Sequence, residues 1–248
     1  AALISRNASH RTHTLRPFFP QLGSVPSDNL GPLDATLNRP VFNSLLAPPM
    51  GWVDLVANLV LSVILIVGAY QFYFFTQRHR LRTPRVFHSS IDERIPFVPA
   101  WSWVYSFLYY PAILYLNLIA GSTRHFVLMA FSFIVLLALQ MLCFELFPVA
   151  TPPHWRRKLP DSRAASAASR FLGFVRSFDA STNCFPSMHV SVATLTALHA
   201  YGTLGPVAFA FPALIAVSCV LTKQHYLIDL PFGALLGWIA YQFYLWMV

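Results

Sequence analysis

Residues 204–229 read LGPVAFAFPALIAVSCVLTKQHYLID. Up to Thr222 the stretch has no charged residue, and it is about as long as the roughly 20 apolar residues a membrane span requires. Beyond it comes Lys223-Gln224-His225-Tyr226-Leu227-Ile228-Asp229, where a cation, an imidazole and a carboxylate crowd the end of the apolar run. Ionisable groups at the edge of a bilayer core are costly, and they usually mark function. This one stretch therefore predicts a helical membrane protein with its chemistry gathered at one face.

The rest of the chain agrees. Of 248 residues 56% are hydrophobic and 10% charged, against about 25% charged in an ordinary soluble domain. Too few polar groups exist to cover a water-soluble surface, which excludes soluble globular, disordered and collagen-like chains. The expected fold class is all-α, an integral membrane bundle of six transmembrane helices. Apolar runs place them at 52–75, 97–119, 125–149, 187–202, 204–222 and 227–248. Aromatic residues at their ends, among them Trp101, Trp103, Tyr109, Tyr110 and Trp246, fit interfacial belts. Residues 1–50 are polar and punctuated by Pro and Gly, and form an N-terminal arm, extended or interfacial. Residues 51–248 form the membrane domain.

Seventeen Lys and Arg against nine Asp and Glu give a net charge of +8. In a soluble chain that excess would suggest nucleic acid. Here the basic residues lie in the connections, so lipid phosphates and the bilayer are the expected partners, with no nucleic acid. Twelve of the seventeen fall in loops 77–96 and 150–186 and at Lys223, all on one side if the spans alternate. By the positive-inside rule that side is cytoplasmic. Cys143, Cys184 and Cys219 have no paired spacing, so neither a disulfide framework nor a metal site is expected.

Two segments carry chemistry. Asn183-Cys184-Phe185-Pro186-Ser187-Met188-His189 opens the fourth span. Pro186 suits a helix start, whose free N–H groups attract anions, and Ser187 and His189 stand at that end. In the second segment His225 and Asp229 are four apart, so a helical turn would bring them within reach. Pro231 follows closely, and a helix that starts only at Asp229 would pair them through its cap instead. Either way, a carboxylate on one imidazole nitrogen fixes the tautomer and sharpens the other nitrogen as a nucleophile.

Pro186-Ser187-Met188-His189 resembles the P-S-G-H motif of the type-2 phosphatidic acid phosphatase superfamily, with Met for Gly. Ser218, His225 and Asp229 stand in register with that family's S-R-x5-H-x3-D motif. The family's K-x6-R-P motif is absent, and Cys219 replaces the Arg. Residues 219 and 223 would share a helix face, so Lys223 would present its ammonium where the missing Arg reaches. Arg156 and Arg157, just after Pro152-Pro153, are either substitutes for the absent motif or ordinary loop charge. Three segments are most similar to the branch that contains inositol phosphorylceramide synthases: Thr222-Lys223-Gln224-His225-Tyr226, Phe147-Pro148-Val149-Ala150-Thr151-Pro152-Pro153 and Asp92-Glu93-Arg94-Ile95-Pro96-Phe97.

The resemblance implies phosphoryl transfer through a phosphohistidine, with neither metal nor cofactor. It implies His225 as nucleophile, Asp229 as its partner and His189 as general acid and then base. Ser187, Lys223, Arg156 and Arg157 would hold the phosphate oxygens. Glu145, near the end of the third span, is either an acceptor-binding or tuning group or a carboxylate reaching to the interface. The implied donor is a lipid phosphate or phospholipid, and the acceptor an alcohol, as in inositol phosphotransfer, or water, as in a phosphatase. The implied catalytic face is periplasmic, extracellular or lumenal, against the charge rule. A non-catalytic lipid-binding protein on the same scaffold would be expected to lose His189, His225 or Asp229, and all three are present. A proton-coupled transporter is disfavoured by the absence of internal repeats.

Overall fold

The computed structural model describes residues 51–156 and 165–248. The N-terminal arm expected over 1–50, and Arg157, lie outside the described residues. Among those described, the chain is mostly helical, with connecting loops and two two-residue strands. In chain order the elements are α1 (Trp52–Arg78), β1 (Arg85–Val86), α2 (Ser90–Arg94), a 3-10 turn (Pro99–Trp101), α3 (Ser102–Phe107), α4 (Tyr109–Ile119) and α5 (Thr123–Leu146). There follow β2 (Val149–Ala150), α6 (Pro153–Arg156), α7 (Ala167–Phe178), α8 (Met188–Leu204), a second 3-10 turn (Gly205–Phe209), α9 (Ala210–Leu221) and α10 (Asp229–Met247).

Among the described residues three stretches are long and apolar enough to cross a membrane: Trp52–Arg78, Thr123–Leu146 and Met188–Leu221. The last is interrupted at Gly205, whose φ of 57° lies in the left-handed region that glycine tolerates. The run expected over 97–119 is not one helix but α3 and α4 with a break at Leu108. Pro111 explains the break, because it has no N–H for the Phe107 carbonyl and its ring crowds that turn.

α1 shows the polarity a lipid environment demands. Its buried residues are Asn58, Ser62, Thr76 and Gln77, while Val53, Val56, Val60, Ile64, Val67 and Phe72 are exposed. Polar groups turn inward to partners, and hydrocarbon faces hydrocarbon. α8 is the central helix, touching α4, α5, α9 and α10. Its closest neighbour is α10, whose Gly233 and Gly237 form a G-x-x-x-G face. A Cβ on Gly233 would stand 2.5 Å from the Ser187 carbonyl oxygen, and one on Gly237 2.3 Å from that of Ser191. Only glycine lets the two backbones approach so closely.

At one end of the bundle the connections knit together. β1 and β2 pair in parallel, Arg85 opposite Val149, and Val149 also bridges to Asn183. The buried polar end of α1 holds the approach to α8: Asn183 Nδ2 donates to Thr76 Oγ1 at 2.8 Å, and Ala180 N to Gln77 Oε1 at 3.2 Å.

Candidate active site

The site is built where α8 and α10 begin. Ser187 is the N-cap of α8, its hydroxyl accepting Val190 N–H at 3.4 Å. Its own N–H donates to the Asp229 carbonyl at 3.1 Å, which ties the two motif segments together.

α9 ends at Leu221, and Lys223 takes φ 54°, a left-handed turn that closes the helix. Lys223 therefore does not share a helical face with Cys219. Its buried ammonium donates to the Asp92 carbonyl and lies 5.0 Å from the centroid of the Trp155 ring. Asp92 also accepts Leu227 N–H through Oδ1 at 2.7 Å. The Tyr226 hydroxyl accepts Phe87 N–H and lies at hydrogen-bond distance from the Phe87 and Ala150 carbonyls, each at 3.0 Å. Loops from three parts of the chain thus clamp the turn that carries His225.

The helix starts at Asp229, so His225 and Asp229 meet through a cap rather than along a regular turn. Asp229 Oδ2 accepts Tyr226 N–H at 2.9 Å and faces His225 Nδ1 at 3.3 Å. The Cys184 carbonyl faces the same Nδ1 at 2.8 Å. Both neighbours are acceptors, so Nδ1 carries the proton and Nε2 keeps its lone pair. The His189 ring lies 5.9 Å from that of His225, at 63°. It is stacked on Tyr105 at 4.1 Å and tilted against Tyr109 at 5.5 Å. Tyr105 Oη is 3.4 Å from His189 Nδ1.

His225, His189, Asp229 and Ser187 are thus brought to one place. The other candidates have further engagements. Arg156 donates through Nε to Ser181 Oγ at 2.8 Å and also binds the Asp179 carbonyl. Glu145 accepts Leu81 N–H at 3.2 Å, at the outer end of α5. Among the described residues no group of three or more His, Cys, Asp or Glu is placed to hold a metal ion. The Cys184 thiol donates to the Ser181 carbonyl at 3.3 Å, and burial pushes its pKa well up, so it stays a neutral thiol.

Arg176 was only a loop charge in the sequence, yet it is buried on α7. It donates to the Thr222 carbonyl at 2.7 Å and to that of Trp155 at 3.3 Å. Its guanidinium lies 5.4 Å from the Phe97 centroid. Burial, then the like charge of Arg156, pushes its pKa down to about 10, which leaves it charged at neutral pH. A signal was available: it shares the i, i+4 face of Leu172, the fully buried residue of α7. For Tyr105 and Tyr109 no local signal exists.

Fold and site together define a helical membrane protein with two facing imidazoles, one backed by a carboxylate. The chain matches the PAP2 superfamily over residues 71–243, and it belongs to that superfamily. Membership sets its chemistry at the level of phosphatases and phosphotransferases acting on lipid phosphates in a membrane setting. No curated protein and no solved structure matches the chain.

Proposed function

We propose that the protein transfers a phosphoryl or phospho-alcohol group from a lipid donor to an alcohol through a phosphohistidine on His225. The observation that carries this is the pair of acceptors on Nδ1, which leaves Nε2 free to act as a nucleophile, with the His189 ring 5.9 Å away. Ring centroids 5.9 Å apart bring both imidazoles to one reacting group.

In the first step Nε2 attacks phosphorus, the P–O bond to the lipid breaks, and protonated His189 gives its proton to the departing oxygen. In the second step His189 takes the proton of the acceptor hydroxyl, whose oxygen attacks phosphorus and releases His225. Asp229 stabilises the positive imidazole in between. Ser187, Lys223 and the arginines of the loop are assigned to the phosphate oxygens, where charge neutralisation is the main contribution a protein makes to phosphoryl transfer.

Transfer is favoured over hydrolysis because the three transferase-like segments converge on one turn: Asp92 binds Lys223 and Leu227, and Ala150 meets Tyr226. Hydrolysis is the second reading, favoured by Glu145, the acceptor candidate, being turned to Leu81. The bundle is read as six passes, α1, α3 with α4, α5, α8, α9 and α10, with the catalytic face periplasmic, extracellular or lumenal. Mass spectrometry of products from candidate lipid donors, with and without inositol, tests the function. A new phosphodiester supports transfer, free phosphate alone supports hydrolysis, and no product from any lipid phosphate overturns both.

A further inference from the structure

A cavity of about 570 Å³ lies beside the site, walled by α1, α3, α4, α5, α7 and the start of α8, and reaching His189. It does not reach His225 among its lining residues, so it meets the pair on the general-acid side. Along α5 it runs from Gln140 near the site to Phe126, and along α1 from Phe74 to Ser62. At 1.5 Å per residue these are about 21 Å and about 18 Å. Half of a bilayer's hydrocarbon core, the depth filled by one leaflet's chains, is only about 15 Å.

The walls are almost wholly apolar and aromatic, with Phe171, Phe174 and Phe178 of α7 among them. The far end is polar. Asn117 Nδ2 donates to Ser62 Oγ at 3.0 Å and to the Leu114 carbonyl at 3.3 Å, and both side chains are buried. A methylene needs about the volume of a water molecule, roughly 30 Å³, so the space takes on the order of twenty carbons. That suits one long chain and not the two of a diacyl lipid.

We infer that this cavity holds a single long hydrocarbon chain of the lipid donor and measures its length against the Ser62–Asn117 floor. The inference rests on the lipid-phosphate reading above and narrows its donor to lipids that can place one chain in the slot. A chain so held brings its ester oxygen to His189, the group assigned to protonate it.

Binding of hexadecylphosphonate and octylphosphonate to the full chain in nanodiscs tests it. Neither probe has a P–O–C bond to break, so the result does not depend on turnover. Ala130→Trp on α5 and Leu65→Trp on α1 fill the far end from two different helices. Each should lower the hexadecyl-to-octyl affinity ratio at least tenfold from wild type. Partitioning of the probes into the bilayer is common to all the proteins and cancels in the comparison. Val67→Trp adds the same bulk on the exposed face of α1 and should leave the ratio unchanged. If both wall variants keep the wild-type circular dichroism and the wild-type ratio, the inference is overturned. A ratio that falls in a protein inactive on every lipid phosphate supports the chain slot and removes only the proposed reaction.

Discussion

Gly237→Ala is the smallest change that tests how the site is held together. In the structure a Cβ at this position would meet the Ser191 carbonyl oxygen at 2.3 Å, Thr194 Cβ at 3.0 Å and Leu195 N at 3.2 Å. Two of the three are backbone atoms of α8 and cannot rotate away. Ordinary contact begins at 3.4 Å, so α8 and α10 must part by about 1 Å, an overpacking that typically costs about 1–3 kcal/mol. The same two helices carry His189 and Asp229, and the Ser187–Asp229 backbone hydrogen bond spans them. A 1 Å displacement between reacting groups costs about 100-fold in rate, or about 2.7 kcal/mol. Gly237→Ala should therefore lower both the unfolding temperature of the purified protein and kcat on a lipid phosphate. Gly68→Ala is the control, since a Cβ there meets nothing within 4 Å. There the helix-propensity gain of up to about 1 kcal/mol should appear without loss of rate. A Gly237→Ala protein as stable and as fast as wild type would refute the idea that the α8–α10 contact sets the catalytic geometry.

Four further substitutions have expected outcomes. His225→Ala should abolish turnover and remove the acid-labile phosphoprotein trapped from radiolabelled lipid phosphate, and His189→Gln should lower kcat by about 10²–10⁴-fold. Asp229→Asn should lower kcat by only about 10²–10³-fold with little change in KM, because the Cys184 carbonyl still holds Nδ1–H; a loss as complete as that of His225→Ala would contradict this. Arg176→Met leaves the Thr222 and Trp155 carbonyls without their shared donor, and should cost about 1–3 kcal/mol in a thermal unfolding assay, with Arg176→Lys recovering part of it.

Much of this protein was legible along the chain because the signals are local. Apolar runs depend on composition alone, and they predicted α1, α5 and the pair α8 and α9 within a few residues. Helix starts depend on neighbours one to three positions apart, so a start of α8 near Ser187 was legible, and the start at Asp229 ahead of Pro231 was one of the two readings the residues allowed. The break at Leu108 was equally local, yet Pro111 was absorbed into an apolar run and passed over. The spacing of the two motifs led to His189, His225 and Asp229 for the same reason.

Tertiary structure alone decided how those groups are poised. The Tyr105 hydroxyl reaches His189 across 84 positions, the Cys184 carbonyl reaches His225 Nδ1 across 41, and Arg176 reaches Thr222 across 46. No periodicity of helix or turn relates residues so far apart; only the packing of one helix on another does. The same holds for Lys223, turned to Asp92 by a left-handed backbone, and for the apolar slot beside His189, whose walls come from separate helices. The amino-acid sequence determined which ionisable groups stand at the ends of the apolar runs, since burial costs in lipid act residue by residue. Their orientation, and the space beside them, came from the packing of helices and loops that only the folded chain brings together.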